Sequence, residues 1–485
     1  MIDIIQSFTF DYAMFITLNL VLSTIVILLE RKNSTAALAW LFFLNLFPGF
    51  GFFFYILLSQ NISKRKIFAY SKEEERLFNK ALNHQKHAIR ENQFDYGNAE
   101  TIEYKDLILF HNRMSNALLS TNDHVDIFNN GPDLFHQLFE DIANAQEHIH
   151  LLYFIIKNDE IGNKLINALI QKAAEGVEVR LLVDHVGGRT LSPKLIGKIQ
   201  SSKIQLAFFF PSKFKYFNLK GNYRNHRKIV VIDGTLGYIG GLNVGNEYVG
   251  KSKRFGYWRD THLRLYGDSV MSLQLRFILD WRNASMEKLA TTAKYLRHVV
   301  SDSKTAIQIV CSGPDNINQQ IKQGYLQIIH KAKKYIYIQT PYFIPDDSIL
   351  EGLKIAAASG VDVRIMIPQM PDHLFVYWAT YSYCGDLIPY GVKIFIYERG
   401  FLHSKMIVSD NTIASVGSCN FDIRSFKLNF EANAFIYERR TSIGLRKEFD
   451  EDLRYCRQLT QTIYDKRSFW IKFKESISRL FSPVL

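Results

Sequence analysis

The sequence predicts an α/β protein of two similar domains, preceded by an apolar N-terminal hairpin of helices. Three observations support this: two long uncharged N-terminal segments, alternating helix and strand patterns beyond residue 120, and a repeat of that alternation roughly 180 residues later. The 485 residues are 47% hydrophobic and 22% charged, which is typical of globular domains with substantial cores. The net charge of +12 favours an anionic partner: nucleic acid, an anionic membrane surface or a phosphorylated substrate.

The N-terminal hairpin is predicted from residues 12–29 and 33–63, which contain no charged side chain. Since a bilayer core requires about 20 helical residues, these lengths predict two membrane spans, about 12–29 and 36–60, within residues 1–63. Pro48 predicts a kink or a re-entrant turn in the second span. Lysines and arginines follow the spans and are absent before them, which favours a multi-pass cell-membrane protein with its remaining domains in the cytoplasm. The alternative is a pair of buried core helices.

The four cysteines are scattered and form no CxxC pair; they are Cys311, Cys384, Cys419 and Cys456. Neither a zinc site nor a disulfide framework is predicted, and a reducing compartment is expected. This agrees with domains that face the cytoplasm.

The chain between the spans and the repeat, residues 64–120, is rich in Lys, Glu, Asn and Gln. It predicts a solvated linker with one helix, Glu73 to Arg90. The chain then repeats itself. The matching pairs are GPD at 131–133 and 313–315, apolar strands at 148–156 and 335–344, and GV(E/D)VR strands within 175–184 and 359–368. This repeat is too long for a solenoid unit and predicts two homologous domains, 121–299 and 300–465.

Both predicted domains contain the pattern His-x-Lys-x4-Asp, as His226, Lys228 and Asp233 and as His403, Lys405 and Asp410. In a strand, residues two apart point to the same face, so each histidine should emerge beside its lysine. A lysine disfavours protonation of a neighbouring histidine, and an anion between them removes the conflict. The pattern predicts a phosphate held by lysine, beside an imidazole able to attack phosphorus or accept a proton. Two copies within a repeat make this a strong signal.

Small residues and asparagines follow each motif at matching positions. Gly241 and Asn243 follow the first motif, and Ser418 and Asn420 follow the second. Backbone N–H groups on a turn, together with the asparagine amides, predict a phosphate cradle that needs no metal.

An acid comes next in each domain, Asp260 in the first and Glu431 in the second. Such an acid could hydrogen-bond the far nitrogen of a catalytic histidine and fix its tautomer. The first domain carries six extra residues before its acid, around Lys251 to Phe255.

These residues resemble the phospholipase D superfamily, whose signature is a duplicated HxKxxxxD motif. The strings NHRKIVVIDG, GGLNVGNEY, YWRDTHLRLYG, TPYFIPDD and GSCNFDIRSFKLNFE resemble those of bacterial cardiolipin synthases. The apolar N-terminus and the SRLFSPVL ending fit the same family. The resemblance spans nearly the whole chain.

The resemblance implies two mixed sheets flanked by helices, packed pseudo-symmetrically around one active site. It implies that two phosphatidylglycerols give cardiolipin and glycerol through a phosphatidyl-histidine intermediate, without cofactor or metal. His226 is expected as the nucleophile and His403 as the acid and base, although the sequence does not separate these roles. The phosphoryl oxygens would be held by Lys228, Lys405, Asn243 and Asn420, and the histidines oriented by Asp260 and Glu431. Asp233 and Asp410 are expected to brace their strands, and Gly241 lacks the hydroxyl that Ser418 offers.

Other functions remain open at this stage: a phospholipase D-type hydrolase of phospholipids, a phosphodiesterase or nuclease, and a membrane-tethered anion-binding scaffold without catalysis. The intact motif residues argue against the scaffold. The expected partners are phosphatidylglycerol and a membrane rather than nucleic acid, and the sequence indicates no oligomeric state.

Two segments outside the motifs are candidates for membrane contact. Residues 208–228 interleave basic and aromatic residues, which suits an anionic lipid interface or a core strand with a solvated loop. The tail, residues 466–485, predicts an amphipathic helix with Trp470 and Phe473 on its apolar side. That helix would lie in a membrane interface or pack on the preceding domain.

Overall fold

The computed structural model describes residues 2–30, 34–48, 50–58, 67–68, 70–211, 222–285, 287–299 and 301–482. The chain divides into two units, and the smaller one contains the N-terminal helices. These are α1 (Ile2–Leu29), α2 (Ser34–Leu46) and α3 (Phe50–Leu58). The second predicted span is interrupted at Pro48, which cannot continue a helical hydrogen-bond ladder. Across the described ranges, no helix is both long and apolar enough to cross a membrane.

The segment predicted as a solvated linker belongs to the core of the larger unit, which corrects that expectation. Among its described residues, the α-helices are α4 (Lys72–Arg90) and α5 (Lys105–Met114). The predicted helix is present and starts at a capping box made by Ser71 and Glu74. However, Ile89 of α4 and Leu107 of α5 are buried with apolar residues of the second domain. Arg282 also donates to both carboxylate oxygens of Glu74, at 2.6 and 2.9 Å. A few apolar positions on one helix face outweigh the polar composition.

The first domain is a mixed sheet with helices against it. Its elements are β1 (Leu119–Asn130), α6 (Gly131–Asn144), β2 (His148–Tyr153), α7 (Glu160–Ala174), β3 (Glu178–Asp184), α8 (Pro193–Gln200), β4 (Gln205–Phe209), β5 (Arg224–Asn225), β6 (Ile229–Ile232), β7 (Leu236–Gly240), β8 (Tyr257–Tyr266) and α9 (Ser269–Ser285). The strand order is β4-β3-β2-β6-β7-β8-β1. β2, β3 and β4 are parallel, and the other neighbours are antiparallel. Of the basic and aromatic segment, residues 212–221 lie outside the described residues.

The second domain repeats this arrangement. Its elements are β9 (Thr305–Ser312), α10 (Gln320–Lys331), β10 (Tyr335–Gln339), β11 (Phe343–Ile344), α11 (Asp347–Ala358), β12 (Asp362–Pro368), α12 (Leu374–Gly385), β13 (Lys393–Tyr397), β14 (Gly400–Leu402), β15 (Met406–Ser409), β16 (Ile413–Gly417), β17 (Phe421–Asp422), α13 (Ile423–Lys427), β18 (Asn429–Ile436), α14 (Arg439–Asp452), β19 (Cys456–Leu459), α15 (Gln461–Asp465) and α16 (Phe469–Leu480). The order is β19-β13-β12-β10-β15-β16-β18-β9. Apart from the added edge strand β19, it matches the first sheet strand for strand. The predicted α/β fold with two similar domains is confirmed.

Several strand pairs join the two domains. The long strand β1 pairs with β8 and with β9, so it belongs to both sheets. Two short parallel pairs, β5 with β18 and β14 with β8, cross from one domain to the other. These crossing pairs bring the segment before each His-x-Lys motif against a strand of the opposite domain.

Candidate active site

The two His-x-Lys segments lie just before strands β6 and β15 rather than inside them, which corrects the predicted placement. The His226 backbone N–H donates to the Phe430 carbonyl at 2.9 Å, and that of His403 donates to the Arg259 carbonyl at 2.7 Å. Because these bonds run to the opposite domain, each segment leaves its own sheet before the strand starts. Both histidines therefore stand where the two domains meet.

Each histidine is held by the acid of the opposite domain. His226 Nδ1 lies 3.0 and 3.1 Å from the two carboxylate oxygens of Glu431. His403 Nδ1 lies 2.6 Å from Asp260 Oδ2. The sequence predicted the acids but not this exchange between domains. Because the carboxylates take Nδ1, the ring nitrogen left for chemistry is Nε2, which has no hydrogen-bond partner within the described part of the chain.

The two acids have different surroundings. Glu431 also accepts from the Ser418 hydroxyl and, at 3.2 Å, from Asn429 Nδ2. Ser418 was predicted to bind phosphate, but its hydroxyl is engaged by Glu431 instead. In the first domain, Asp260 accepts from the Thr261 backbone N–H at 2.8 Å. Gly241 stands where a Cβ would collide with the Asp260 carboxylate, so this turn has no room for a serine.

The two lysines fold back onto their own motifs. Lys228 Nζ donates to the His226 carbonyl at 2.6 Å, and Lys405 Nζ donates to the His403 carbonyl. Lys405 Nζ also lies 2.7 Å from His403 Nδ1. Nδ1 can carry only one proton, and the pKa of Asp260 is lowered by Lys405 and His403 despite its burial, so Nδ1–H donates its hydrogen bond to the ionised carboxylate. The lysine is then a close positive neighbour of the imidazole and disfavours its protonation.

The histidines and lysines of both motifs have lowered pKa values, so each is harder to protonate than usual. Burial lowers the pKa of Lys228 to about 7 and that of Lys405 to about 8. Burial and then Lys405 lower the pKa of His403 to about 4. Burial also lowers the pKa of His226, since it outweighs the opposing effect of Glu431. Lys405 acts on His226, and Lys228 acts on His403, so the two motifs share one electrostatic environment. An anion placed among these groups would raise their pKa values, because it stabilises the protonated forms.

The motif aspartates make the contacts of structural braces. Asp233 accepts backbone N–H bonds from residues 146, 147 and 148 at 2.7 to 2.9 Å. Asp410 accepts the equivalent bonds from residues 333, 334 and 335 at 2.7 to 3.0 Å. Both have a positive φ, of 52° and 53°, which aspartate tolerates better than most residues. Each thus fixes the turn after its motif strand to the start of the neighbouring strand.

The asparagines lie in the turns after β7 and β16. Asn243 Oδ1 accepts the Ile155 backbone N–H at 3.2 Å, and its amide donates to the Tyr248 hydroxyl at 3.4 Å. Asn420 hydrogen-bonds Asp422, and its Oδ1 is buried without a partner among the described residues. Both amides are therefore engaged by the protein in this arrangement.

Two buried arginines were missed by sequence reasoning. Arg227 donates to Asp280 at 2.9 and 3.0 Å and to the Glu431 carbonyl at 3.1 Å. Arg259 donates to Asp452 at 2.7 Å and to the Asp260 carbonyl at 2.6 Å. In the sequence, Arg227 stands between His226 and Lys228, and Arg259 directly precedes Asp260. Both arginines fix the backbone that carries the acids.

Aromatic rings border both imidazoles. Phe154 lies beside His226, with ring centroids 5.1 Å apart. Trp258 lies at the same distance, 5.1 Å, from His403, and Phe401 lies 6.0 Å from it. These rings reduce the contact of the imidazoles with water.

Comparison with known proteins identifies the family. The family described as cardiolipin synthase, PLD-like domain, matches residues 138–253 and 325–453, and one described as phospholipase D-nuclease N-terminal matches residues 18–60. A cardiolipin synthase of Oceanobacillus iheyensis is 50% identical over 468 residues, which are 96% of this chain and 97% of that protein. The chain belongs to the cardiolipin synthase family. The family predicted from the duplicated motif is thereby confirmed.

Other relatives agree with this membership. The major cardiolipin synthase of Bacillus subtilis is 47% identical over 477 residues, which are 98% of each chain. Among solved structures, a phosphatidylserine synthase of Haemophilus influenzae has a TM-score of 0.61 at 14% identity and covers 79% of this chain and 100% of its own. At that identity the likeness concerns the fold, and it agrees with the two-domain architecture.

Proposed function

We propose that this chain is a phosphatidyltransferase that makes cardiolipin from two phosphatidylglycerols and releases glycerol. The observation that supports it best is the pair of histidines, each held at Nδ1 by a carboxylate from the opposite domain, in a chain of this family. Two imidazoles whose Nε2 atoms have no partner among the described residues suit a reaction that needs one nucleophile and one proton carrier. A cofactor has no part in this proposal.

In the first half-reaction, His226 Nε2 attacks the phosphorus of one phosphatidylglycerol. A P–N bond forms, the bond from phosphorus to the glycerol headgroup breaks, and His403 Nε2–H protonates the leaving glycerol oxygen. Glu431 keeps the proton of His226 on Nδ1, so that Nε2 carries the lone pair needed for attack. The assignment of His226 as nucleophile follows the expectation from the sequence.

In the second half-reaction, the headgroup hydroxyl of another phosphatidylglycerol attacks the phosphatidyl-histidine. His403 Nε2 accepts the hydroxyl proton, the P–N bond breaks, and cardiolipin leaves with His226 restored. Lys228 and Lys405 would hold the phosphoryl oxygens and stabilise the extra charge of each transition state. Asn243 and Asn420 would join them after turning away from their present partners.

The substrate phosphate itself would prepare the proton carrier. Without an anion, His403 has a pKa of about 4, because it is buried and close to Lys405. A bound phosphodiester would neutralise that lysine, and Asp260 would then favour the imidazolium. His403 would therefore gain its acidic proton when substrate is present.

The reaction is proposed to occur at the cell membrane, with the two-domain unit in the cytoplasm and the N-terminal helices as the membrane attachment. The family match at residues 18–60 and the uncharged segments support this. The hairpin of two spans remains a prediction. Single cysteines placed before and after the helices, labelled in intact cells with an impermeant maleimide, would test whether both ends are cytoplasmic.

The deciding experiment is incubation of the purified full chain with phosphatidylglycerol, followed by separation of the lipids. Cardiolipin and glycerol in equal amounts are expected. His226→Ala and His403→Ala should each abolish transfer with thermal unfolding unchanged. Retained transfer in either variant would contradict the shared site. Phosphatidic acid as the main product would instead identify a phospholipase D-type hydrolase.

A further inference from the structure

Helix α16 packs on the protein through its polar side, whereas an amphipathic helix usually packs through its apolar side. Its polar residues Glu475 and Ser478 face the protein and are only 4% and 1% exposed. Glu475 is ion-paired with Arg467, and Arg479 lies 2.6 Å from Asp386. α16 is therefore attached to the larger unit through charges and hydrogen bonds rather than through its apolar side.

The apolar side of α16 is left exposed. With 3.6 residues per turn, the large apolar residues of this helix and its C-terminal cap, apart from Ile471, fall on one side. Phe469, Trp470 and Leu480 are 73%, 67% and 75% exposed, and Phe473 and Phe481 are also exposed. A contiguous patch of large apolar side chains exposed on a protein surface indicates an interaction site.

Helix α12 extends this exposed surface. Leu374 and Phe375 at its start are exposed, and the Phe375 ring contacts that of Phe481, with centroids 5.7 Å apart. We call this surface the aromatic face; it consists of Leu374, Phe375, Phe469, Trp470, Phe473, Leu480 and Phe481. Two helices that are distant in sequence thus contribute to one continuous patch.

Positive charge accompanies the aromatic face. Lys466, Lys472 and Lys474 are exposed on the same helix or just before it. The one acid within residues 466–482 is Glu475, which is buried and paired. Aromatic side chains combined with exposed lysines suit the interface of an anionic bilayer, where rings sit at headgroup depth and lysines meet phosphates.

The aromatic face adjoins the active site. α12 begins two residues after Asp372, which accepts the hydroxyl of Tyr342. On the first domain's side of this loop, the Phe255 ring lies 5.5 Å from that of Trp258, which borders His403 at 5.1 Å. Arg254, in the six extra residues of the first domain, donates to the Pro371 carbonyl at 2.7 Å in the same loop. A bilayer lying on the aromatic face would therefore be close to this side of the site.

We propose that the aromatic face docks the two-domain unit directly on a bilayer containing anionic phospholipid, independently of the N-terminal helices. Docking places the phosphates of the leaflet that faces the protein near Lys405, and the acyl chains of that leaflet against the exposed rings. This deepens the proposed function, since it rests on a lipid substrate for the same site. Its physical test does not require the enzyme to make cardiolipin.

The first test measures contact with acyl chains. The full chain is reconstituted into vesicles of phosphatidylglycerol and phosphatidylcholine, with either ordinary or brominated acyl chains, and tryptophan fluorescence is recorded. Subtraction of the Trp470→Phe variant isolates the emission of Trp470, and Trp281→Phe isolates a buried core residue as control. Bromination should quench at least half of the Trp470 emission and none of the Trp281 emission. Unquenched Trp470 would overturn the proposal.

The second test separates bilayer docking from chemistry. Phe469, Trp470 and Phe473 are all replaced by serine, and Ile317→Ser with Ile355→Ser is the control, since both are exposed elsewhere. Transfer on vesicles should fall at least tenfold in the triple variant, while transfer on dispersed short-chain phosphatidylglycerol stays within twofold. An equal loss on both substrates, or no loss, would contradict docking. A change from dimer to monomer with Trp470 unquenched would identify a second copy of the chain as the occupant instead.

Discussion

Replacement of Glu431 by glutamine would test how the carboxylate controls His226. The carboxylate is fully buried and meets three side-chain donors: His226 Nδ1, Asn429 Nδ2 and the Ser418 hydroxyl. Glutamine has nearly the same volume but no charge, and one of its two terminal atoms is a donor. His226 Nδ1 lies at 3.0 and 3.1 Å from the two carboxylate oxygens, so the new NH2 group faces the Nδ1–H whichever way the amide is turned. The expected result is loss of the His226 tautomer that places its lone pair on Nε2.

The size of this effect can be estimated from the contacts. A hydrogen bond to a charged group contributes about 1.5–3 kcal/mol, so its loss predicts a decrease in rate of about 10- to 150-fold. If His226 also adopts the other tautomer, its Nε2 carries a proton and cannot attack. In serine protease triads the corresponding acid-to-amide change lowers kcat about 10⁴-fold. We expect the rate of phosphatidyl-histidine formation to fall at least about 10-fold, and by up to about 10⁴-fold if His226 adopts the other tautomer.

Single-turnover measurements with labelled phosphatidylglycerol would follow the phosphatidyl-histidine and cardiolipin separately. Asp260→Asn is the matched change at the other histidine. A phosphatidyl ester with a p-nitrophenol leaving group, which needs no proton, distinguishes the two variants. With this substrate, Asp260→Asn should again form the adduct and then accumulate it, because His403 still fails as base. Glu431→Gln should remain slow with both substrates.

Two outcomes would refute this reasoning. A Glu431→Gln variant within about twofold of the unmodified enzyme would show that the carboxylate does not control the tautomer. Rescue of Glu431→Gln, but not of Asp260→Asn, by the activated substrate would exchange the roles of the two histidines. Unchanged thermal unfolding, measured alongside, shows that the loss lies in the chemistry rather than in folding.

Asp233→Ala should lower the free energy of unfolding by about 2–3 kcal/mol, because three backbone N–H groups lose their acceptor and alanine disfavours a positive φ. Asp233→Asn should lose less stability, and equal losses for the two variants in thermal unfolding would contradict the role of Asp233 as a brace. Gly241→Ser should reduce transfer, because the new serine side chain would displace Asp260 from His403. Ser418→Gly should have a smaller effect, and a fully active Gly241→Ser variant would contradict this reasoning. Binding of glycerophosphoglycerol at pH 7 should be accompanied by uptake of about one proton, since the anion raises the pKa values of His403 and Lys228 from about 4 and about 7. Calorimetry in buffers of different ionisation enthalpy measures this uptake. Identical binding heats in all buffers would show that no proton is taken up.

The duplicated motif and the order of helices and strands could be predicted because both depend on local pattern. His226 with Lys228 is readable within a few residues, and strand repeats register the two domains. The exchange of acids could not be predicted in this way. It depends on the short parallel pairs β5 with β18 and β14 with β8, which join residues about 140 to 200 positions apart. Pattern within a single segment contains no information on such pairings.

Composition was misleading where a few contacts decide burial. Residues 64–120 are predicted from their composition to be a solvated linker, yet Ile89 and Leu107 are part of the second domain's core. In α16 the opposite happens, since the periodicity marks an amphipathic helix but not which side faces the protein. The pairing of Glu475 with Arg467 decides that orientation, and the partner lies in the turn before the helix. In both cases tertiary contacts determine what local pattern leaves open.

The differences between the two acids support distinct roles for the two histidines. Glu431 accepts hydrogen bonds from His226, Ser418 and Asn429. It therefore fixes the His226 tautomer, but its negative charge, divided among three donors, stabilises a protonated His226 less strongly. Asp260 has one backbone donor and a shorter contact with its histidine, at 2.6 Å. Once phosphate neutralises Lys405, this less shared carboxylate stabilises an imidazolium more strongly. A nucleophile must stay neutral and a leaving-group acid must be protonated, so the arrangement favours His226 for attack and His403 for proton transfer. The difference between the two acids depends on Gly241, because there is no room at this position for a serine that could donate to Asp260 as Ser418 does to Glu431.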